Sequence, residues 1–239
     1  MNQEIWNRTE WFRKERFGMF IHWGLYAIPA LGEWVMSEKR MTVEEYEKYF
    51  EQFDPTDYNP REWARLAKKA GMKYAVLTAK HHDGFCLFDS ALTDYKATNT
   101  KAGRDLVREY VDAVRAEGLK VGLYFTLLDW YHEDYPHYQD RNHPMRNHPE
   151  CGNENRDFSR YVDYMHKQVE EICTNYGQLD LLWFDFSYDD MRGEKWGATK
   201  LINMVRSLQP QVIIDNRLEV SGEGRGSLAE CNPTPYHGD

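Results

Sequence analysis

The sequence has 239 residues, with 30 Lys or Arg against 39 Asp or Glu, so its formal net charge is −9. This acidic balance argues against nucleic-acid binding, because the affinity of such proteins usually comes from a basic surface. Hydrophobic residues make up 41% of the chain, enough for a sizeable core. No uninterrupted run of about 18 apolar residues predicts a membrane-spanning helix. We therefore expect one large or two small globular domains, with neither a nucleic-acid nor a membrane partner.

The first residues, Met1 to Glu4, are polar and acidic, and they do not form the basic and then apolar pattern of a signal peptide. A cytoplasmic location is therefore expected. The four cysteines are scattered and form no C-x-x-C pair, which favours reduced thiols over a disulfide framework. They are Cys86, Cys151, Cys173 and Cys231.

Short apolar segments alternate with amphipathic patterns along the chain. The apolar segments predict strands at residues 18–24, 74–79, 120–127, 179–186 and 212–216. The amphipathic patterns predict helices at residues 60–70, 104–117, 155–175 and 196–208. Near-continuous apolar strands separated by helices are typical of a parallel sheet that helices cover.

The helix after Asn59 has the clearest start, because Asn is a good N-cap, Pro60 fits the first helical position and Glu62 can complete a capping box. The spacing i, i+3, i+4, i+7 predicts that its buried face consists of Trp63, Leu66, Ala67 and Ala70.

Right-handed crossovers leave two main architectures for such a chain, a doubly wound sheet and a (β/α)8 barrel. The glycine-rich phosphate motifs that often accompany a doubly wound sheet are absent, and no cofactor is predicted. Polar residues stand instead at the end of every predicted strand, where barrel enzymes hold their catalytic groups. These residues are His22, Lys80, His81, His82, Tyr124, Asp185 and Arg217. The favoured fold is therefore an α/β, (β/α)8-like (TIM-type) barrel.

Two long loops are expected on the same rim as these strand ends. Residues 25–42 carry Glu33 and Trp34, and residues 129–153 are polar and aromatic. Loops of this length inside a compact domain are usually functional or disordered.

Asp185 lies within an apolar strand end, where a carboxylate is costly unless it is paired or hydrogen-bonded. It could be a structural residue that holds a loop. It could also be a nucleophile that Arg217, on the next predicted strand, keeps ionised.

The histidines have two interpretations as well. With an aromatic wall and one carboxylate, neutral imidazoles would suit an uncharged polyhydroxylated ligand such as a sugar, whose hydrolysis needs two carboxylates. Alternatively, His22, His81, His82 and Asp185 could hold a metal ion, although no H-x-H or H-E-x-x-H spacing supports such a site. No metal is therefore predicted.

The sequence resembles the family 29 glycoside hydrolases, the α-L-fucosidases, in motifs that follow one another through nearly the whole chain. The motifs are F-G-M-F-I-H-W-G at 17–24, G-E-W at 32–34, K-H-H-D-G-F at 80–85, G-L-Y-F at 122–125, W-F-D at 183–185 and D-N-R at 215–217. The resemblance implies a retaining, exo-acting hydrolase of fucosylated oligosaccharides or glycoconjugates, with a (β/α)8-like catalytic domain. It implies that Asp185 is the nucleophile that forms a glycosyl-enzyme intermediate. The implied substrate-binding residues are His22, Glu33, Trp34, His81, His82, Tyr124 and Arg217.

The sequence also departs from the family pattern. Many members have two adjacent tyrosines where this chain has Tyr124 and Phe125. In many members the segment after the Arg strand reads G-D-F-x-T-P-E, with its Glu near the acid/base, and that Glu would lie just beyond Asp239. Glu230 is an alternative, but a rim Glu without a catalytic role is the favoured interpretation of that residue. We accordingly expect residues 1–239 to be a catalytic barrel domain that lacks its last strands and the family's C-terminal β-sandwich, and to be a poor catalyst alone.

Two other functions remain open at this point. The chain could be a fucose-binding fragment without turnover. It could also be a barrel enzyme that uses the histidine cluster to bind a metal ion, or Lys80 to form a Schiff base.

Overall fold

A parallel five-stranded sheet forms the centre of the protein in the computed structural model, which describes residues 3–218. The strands are β1 (Gly18–Ile21), β2 (Tyr74–Lys80), β3 (Lys120–Thr126), β4 (Leu181–Asp185) and β5 (Ile213–Ile214). Their order in the sheet is the order along the chain, and every neighbouring pair is parallel. A doubly wound sheet reverses its strand order at a switch point, whereas a barrel wall does not. The predicted barrel-type α/β fold is therefore confirmed.

Helices precede and connect the strands. They are α1 (Gln3–Arg8), α2 (Glu10–Glu15), α3 (Val35–Glu38), α4 (Val43–Gln52), α5 (Pro60–Lys69), α6 (Leu106–Ala116), α7 (Phe158–Asn175) and α8 (Ala198–Leu208). The last four correspond to the predicted helices. The first four were not predicted, although Thr42 and Glu45 form a reciprocal capping box at the start of α4 that is readable in the sequence.

The predicted buried face of α5 is wrong in part. Leu66 is 56% exposed and Ala70 is also exposed, whereas Ala64 and Ala67 are buried. The helix packs through Pro60, Ala64 and Ala67, a stripe rotated from the predicted one. These small side chains let α5 lie close to its neighbours, and this close packing leaves the larger Leu66 on the outside. The start of the helix is as predicted, since the Asn59 side chain accepts a hydrogen bond from the Glu62 amide at 3.2 Å.

The two faces of the sheet carry different residues, because side chains alternate along a strand. On one face, Ala75, Leu77 and Ala79 join the main core beneath the helices. On the other face, Val76, Tyr124 and Leu181 form a smaller apolar cluster.

A bulge between Thr78 and Lys80 breaks the alternation of β2. The Lys80 side chain consequently contacts Gln168 of α7 and is completely buried. Lys80 ends β2 as predicted, but its side chain lies among the helices and not with the other polar strand-end side chains.

No helix within residues 3–218 has the length and apolar character needed to cross a membrane. Cys86, Cys151 and Cys173 are free thiols, and Cys231 lies outside the described residues.

Gln209, at the end of α8, fixes the approach to β4. Its Nε2 donates hydrogen bonds to the carbonyl oxygens of Cys173, at 2.7 Å, and Gly177, at 2.9 Å. Its Oε1 accepts a hydrogen bond from the Leu179 amide at 3.1 Å. One buried side chain thereby satisfies three backbone groups between α7 and β4, the strand that ends in Asp185.

We predict that Gln209→Ala lowers the free energy of unfolding by about 2 kcal/mol or more, because an unsatisfied buried polar group costs roughly 1–3 kcal/mol. Urea denaturation followed by circular dichroism measures this change. The exposed Gln178 provides a matched control, and Gln178→Ala should stay within about 0.5 kcal/mol of the parent. Equal destabilisation by the two substitutions would contradict the assignment.

Candidate active site

The carboxyl ends of β1 to β4 bring the predicted site residues to one edge of the sheet. Asp185 is the last residue of β4, and Tyr124 lies two residues before the end of β3. His22 directly follows β1, and His81 and His82 directly follow β2. Parallel, adjacent strands end on the same side, which is why residues far apart in sequence converge here.

Each oxygen of the Asp185 carboxylate has its own partner. The Tyr124 hydroxyl donates a hydrogen bond to Oδ2 at 2.8 Å, and Arg217 Nη1 lies 3.4 Å from Oδ1. Burial raises the pKa of Asp185, whereas the charge of Arg217 and the Tyr124 hydrogen bond oppose this rise. The side chain keeps 16% of its surface exposed. The site therefore presents a carboxylate that is held in place, supported in its ionised form and still accessible.

His81 and His82 are almost fully buried, and their ring centroids are 4.1 Å apart. Burial holds the pKa of both imidazoles well below the usual value, so both are neutral at pH 7. His82 Nδ1 lies 2.6 Å from Thr126 Oγ1, whereas His81 Nδ1 is buried without a hydrogen-bond partner. A neutral imidazole donates through one nitrogen and accepts through the other, as a hydroxylated ligand requires.

His22 and Glu33 extend this cluster toward the loop after β1. The His22 ring centroid is 4.8 Å from that of His81 and 5.1 Å from that of Tyr124. Desolvation lowers the pKa of His22, and the negative charge of Glu33 opposes this effect.

Trp34 contributes an aromatic wall beside the histidines. Its ring centroid lies 4.9 Å from that of His82, and 5.4 Å from those of Trp130 and Phe186. Neither Trp130 nor Phe186 was singled out in the sequence. Trp130 does lie in the 129–153 loop, which the sequence predicts to be on this rim. That location is the sequence feature that could have identified Trp130 as a site residue.

The structure thus brings together all eight site residues predicted from the sequence, which are His22, Glu33, Trp34, His81, His82, Tyr124, Asp185 and Arg217. Lys80 is not among them, since it lies behind the sheet. Within residues 3–218, no group of three or more His, Cys, Asp or Glu residues is arranged to hold a metal ion. Glu230 lies outside the described residues.

A second carboxylate, Asp215, was overlooked although it belongs to the D-N-R motif. Its Oδ1 accepts a hydrogen bond from the Phe184 amide at 3.1 Å, directly before Asp185. Burial, together with the negative charge of Asp185, raises the pKa of Asp215 well above its usual value. This shift disfavours a second negative charge beside Asp185.

We predict that Arg217→Gln raises the pKa of Asp185 by about one pH unit or more, because an adjacent guanidinium typically lowers a carboxyl pKa by about 1–3 units. Carbon-13 NMR titration of labelled aspartate measures this value. Arg217→Lys retains the positive charge and should cause a smaller rise. An Asp185 pKa that is the same in the parent and in Arg217→Gln would show that the ion pair does not support the carboxylate.

Comparison with known proteins gives a consistent result. The family model described as alpha-L-fucosidase matches residues 2–232. The structure of alpha-L-fucosidase isoenzyme 1 from Paenibacillus thiaminolyticus is 67% identical with a TM-score of 0.89, and the match covers 90% of this chain and 51% of that one. The structure of the alpha-L-fucosidase AlfC from Lactobacillus casei, in complex with its α-L-fucose product, is 29% identical with a TM-score of 0.79. That match covers 91% of this chain and 70% of that one.

Among curated proteins, the tissue alpha-L-fucosidase of Rattus norvegicus is 30% identical over 229 residues, which is 87% of this chain and 46% of the rat protein. The chain therefore spans about half the length of the curated relatives that it matches.

Proposed function

This chain belongs to the α-L-fucosidase family, and on that premise we propose that it hydrolyses terminal α-L-fucosyl linkages with retention of configuration. In this proposal Asp185 is the nucleophile. The observation that carries the proposal is the environment of Asp185, whose two oxygens contact Tyr124 and Arg217 while part of the side chain stays exposed. A structural aspartate would not need an exposed face.

The reaction takes two steps. Asp185 attacks the anomeric carbon, the bond to the leaving oxygen breaks, and a general acid gives that oxygen a proton. Water then attacks the glycosyl-enzyme ester, transfers a proton to the same acid/base group and releases the sugar. Arg217 and Tyr124 keep Asp185 ionised and oriented for the first step.

The fucose ring would lie between the imidazoles and the aromatic wall. His22, His81 and His82 can exchange hydrogen bonds with its hydroxyls, and the unpartnered, buried Nδ1 of His81 supports this placement. Trp34 offers a flat apolar surface to the C–H face of the sugar. The substrate would be a fucosylated oligosaccharide or glycoconjugate, in line with the α-L-fucose held by the Lactobacillus casei relative.

Asp185→Gly tests the role of the nucleophile. In a protein restored to full length, we expect turnover of an aryl α-L-fucoside to fall below detection. Added azide should restore part of it, because the anion can enter the space left by the carboxylate and form a fucosyl azide of inverted configuration. Chromatography with NMR of the product measures this outcome.

Circular dichroism of the same variant provides the control for folding. Unchanged turnover, or loss of turnover in a folded variant that azide does not rescue, would remove Asp185 from the role of nucleophile. Fucose binding without turnover by the parent would identify the chain as a binding fragment.

His82→Ala tests the sugar site separately from catalysis. We expect the dissociation constant for L-fucose to rise about 5- to 150-fold, which corresponds to the roughly 1–3 kcal/mol cost of leaving a polar partner unsatisfied. Isothermal titration calorimetry measures the change. His148, whose side chain is 39% exposed and pairs with Glu150, is the matched control, and His148→Ala should bind L-fucose as the parent does. Equal affinity of His82→Ala and the parent would contradict the assignment.

A further inference from the structure

A buried ion pair behind the sheet takes no part in the proposed reaction. Lys80 Nζ lies 3.0 Å from Asp129 Oδ2 and donates a second hydrogen bond to Gln168 Oε1 at 2.9 Å. The side chains of Lys80 and Asp129 are 0% and 2% exposed. Buried ion pairs are often no more stabilising than apolar residues of similar volume. The stability of the core therefore does not by itself explain why a charged pair stands here.

The second oxygen of Asp129 organises the turn that follows β3. Asp129 Oδ1 accepts hydrogen bonds from the amides of Tyr131, at 3.1 Å, and His132, at 3.0 Å. Because Lys80 contacts Oδ2, the carboxylate is oriented so that Oδ1 meets both amides. An apolar pair would fill the space but would leave these two amides without an acceptor.

This turn is joined directly to the sugar site. The Trp130 amide donates a hydrogen bond to the His82 carbonyl oxygen at 2.8 Å, and the Trp130 ring centroid lies 5.3 Å from that of His82. The turn after His82 also passes closely against Asp129. A Cβ atom on Gly84, whose φ is +79°, would lie 2.4 Å from Asp129 Oδ1.

We propose that Lys80 and Asp129 are positioning residues for the sugar site, which act through the turn at residues 129–132 to fix His82 and Trp130 against Trp34. The inference rests on the proposed function, because that function assigns His82 to the substrate. Neither residue contacts the substrate, since Lys80 lies on the helix side of the sheet. Burial, followed by His22 and the charge of Lys80, lowers the pKa of His82, so Lys80 helps to keep the imidazole neutral.

The protein offers a matched control pair at the opposite end of the sheet. Lys120 Nζ lies 2.9 Å from Asp180 Oδ1, and Asp180 Oδ2 accepts a hydrogen bond from the Val121 amide at 2.9 Å. This pair has the same chemistry, a Lys–Asp contact whose carboxylate also holds a backbone amide, but it lies at the amino ends of the strands.

Steady-state kinetics on an aryl α-L-fucoside, well below the unfolding midpoint, test the proposal. We expect Asp129→Ala to lower kcat/KM at least tenfold, since small displacements of binding groups cost up to about 100-fold in rate. Asp129→Asn keeps an acceptor oxygen for the two amides and should retain more activity. Asp180→Ala should change kcat/KM less than twofold.

A double-mutant cycle with His82→Ala separates positioning from general stability. If Asp129 acts through His82, then Asp129→Ala should lower kcat/KM much less in the His82→Ala background than in the parent. The shift in the unfolding midpoint should be the same in both backgrounds. Equal fractional losses of kcat/KM in the two backgrounds would overturn the proposal.

NMR of the His82 ring keeps this test independent of the proposed function. If the parent shows no turnover, the proposed function fails, whereas the positioning role still requires Asp129→Ala to move the ring resonances of His82. Thr126→Val, which removes the hydroxyl beside His82 Nδ1, is the positive control and should shift these resonances. Resonances that shift in Thr126→Val but stay unchanged in Asp129→Ala would overturn the positioning role without bearing on the proposed function.

Discussion

The ionised state of Asp185 is the condition on which the rest of the site depends. A carboxylate at the end of an apolar strand loses much of its hydration, and this loss favours the protonated form. Two neighbours oppose this effect, the Arg217 guanidinium at one oxygen and the Tyr124 hydroxyl at the other. A protonated Asp185 could not act as the nucleophile of the proposed reaction, so that reaction depends on these two contacts.

The parallel sheet places Tyr124 beside Asp185 without requiring an unusual local backbone conformation. Tyr124 and Asp185 lie on adjacent strands, where Tyr124 pairs with Trp183 in the register of β3 and β4. Inward-facing positions two residues apart on neighbouring strands are within reach of a long side chain. The precision of the site thus comes from strand register. Gln209, which holds the segment ahead of β4, supports the strand that ends in Asp185 from outside the candidate site.

Much of this arrangement could be predicted from the sequence, because strand ends and helix periodicity are local properties. The positions of His82 and Asp185 follow from where their apolar strands stop. The direction of the Lys80 side chain could not be predicted, because the bulge that turns it depends on how β2 pairs with β3, and no local pattern reveals that pairing. The exposure of Leu66 could not be predicted for a related reason. The elements that pack against α5, and not the periodicity of α5 itself, determine which face of the helix is buried.

Burial shifts the pKa values of the two kinds of ionisable group in the site, the Asp185 carboxyl and the imidazoles, in opposite directions. Burial raises the pKa of Asp185 above the usual 3.8, and burial lowers the pKa of His81 and His82 below the usual 6.5. At neutral pH the imidazoles are therefore uncharged, while the charge of Arg217 opposes the upward shift in the pKa of Asp185 and so favours its ionised form. In the proposed reaction, acidification would work against both sets at once, because it would protonate Asp185 and add positive charge to the imidazoles proposed to bind the sugar hydroxyls. If the proposed function holds, the same desolvation ties catalysis and sugar binding to one range of pH.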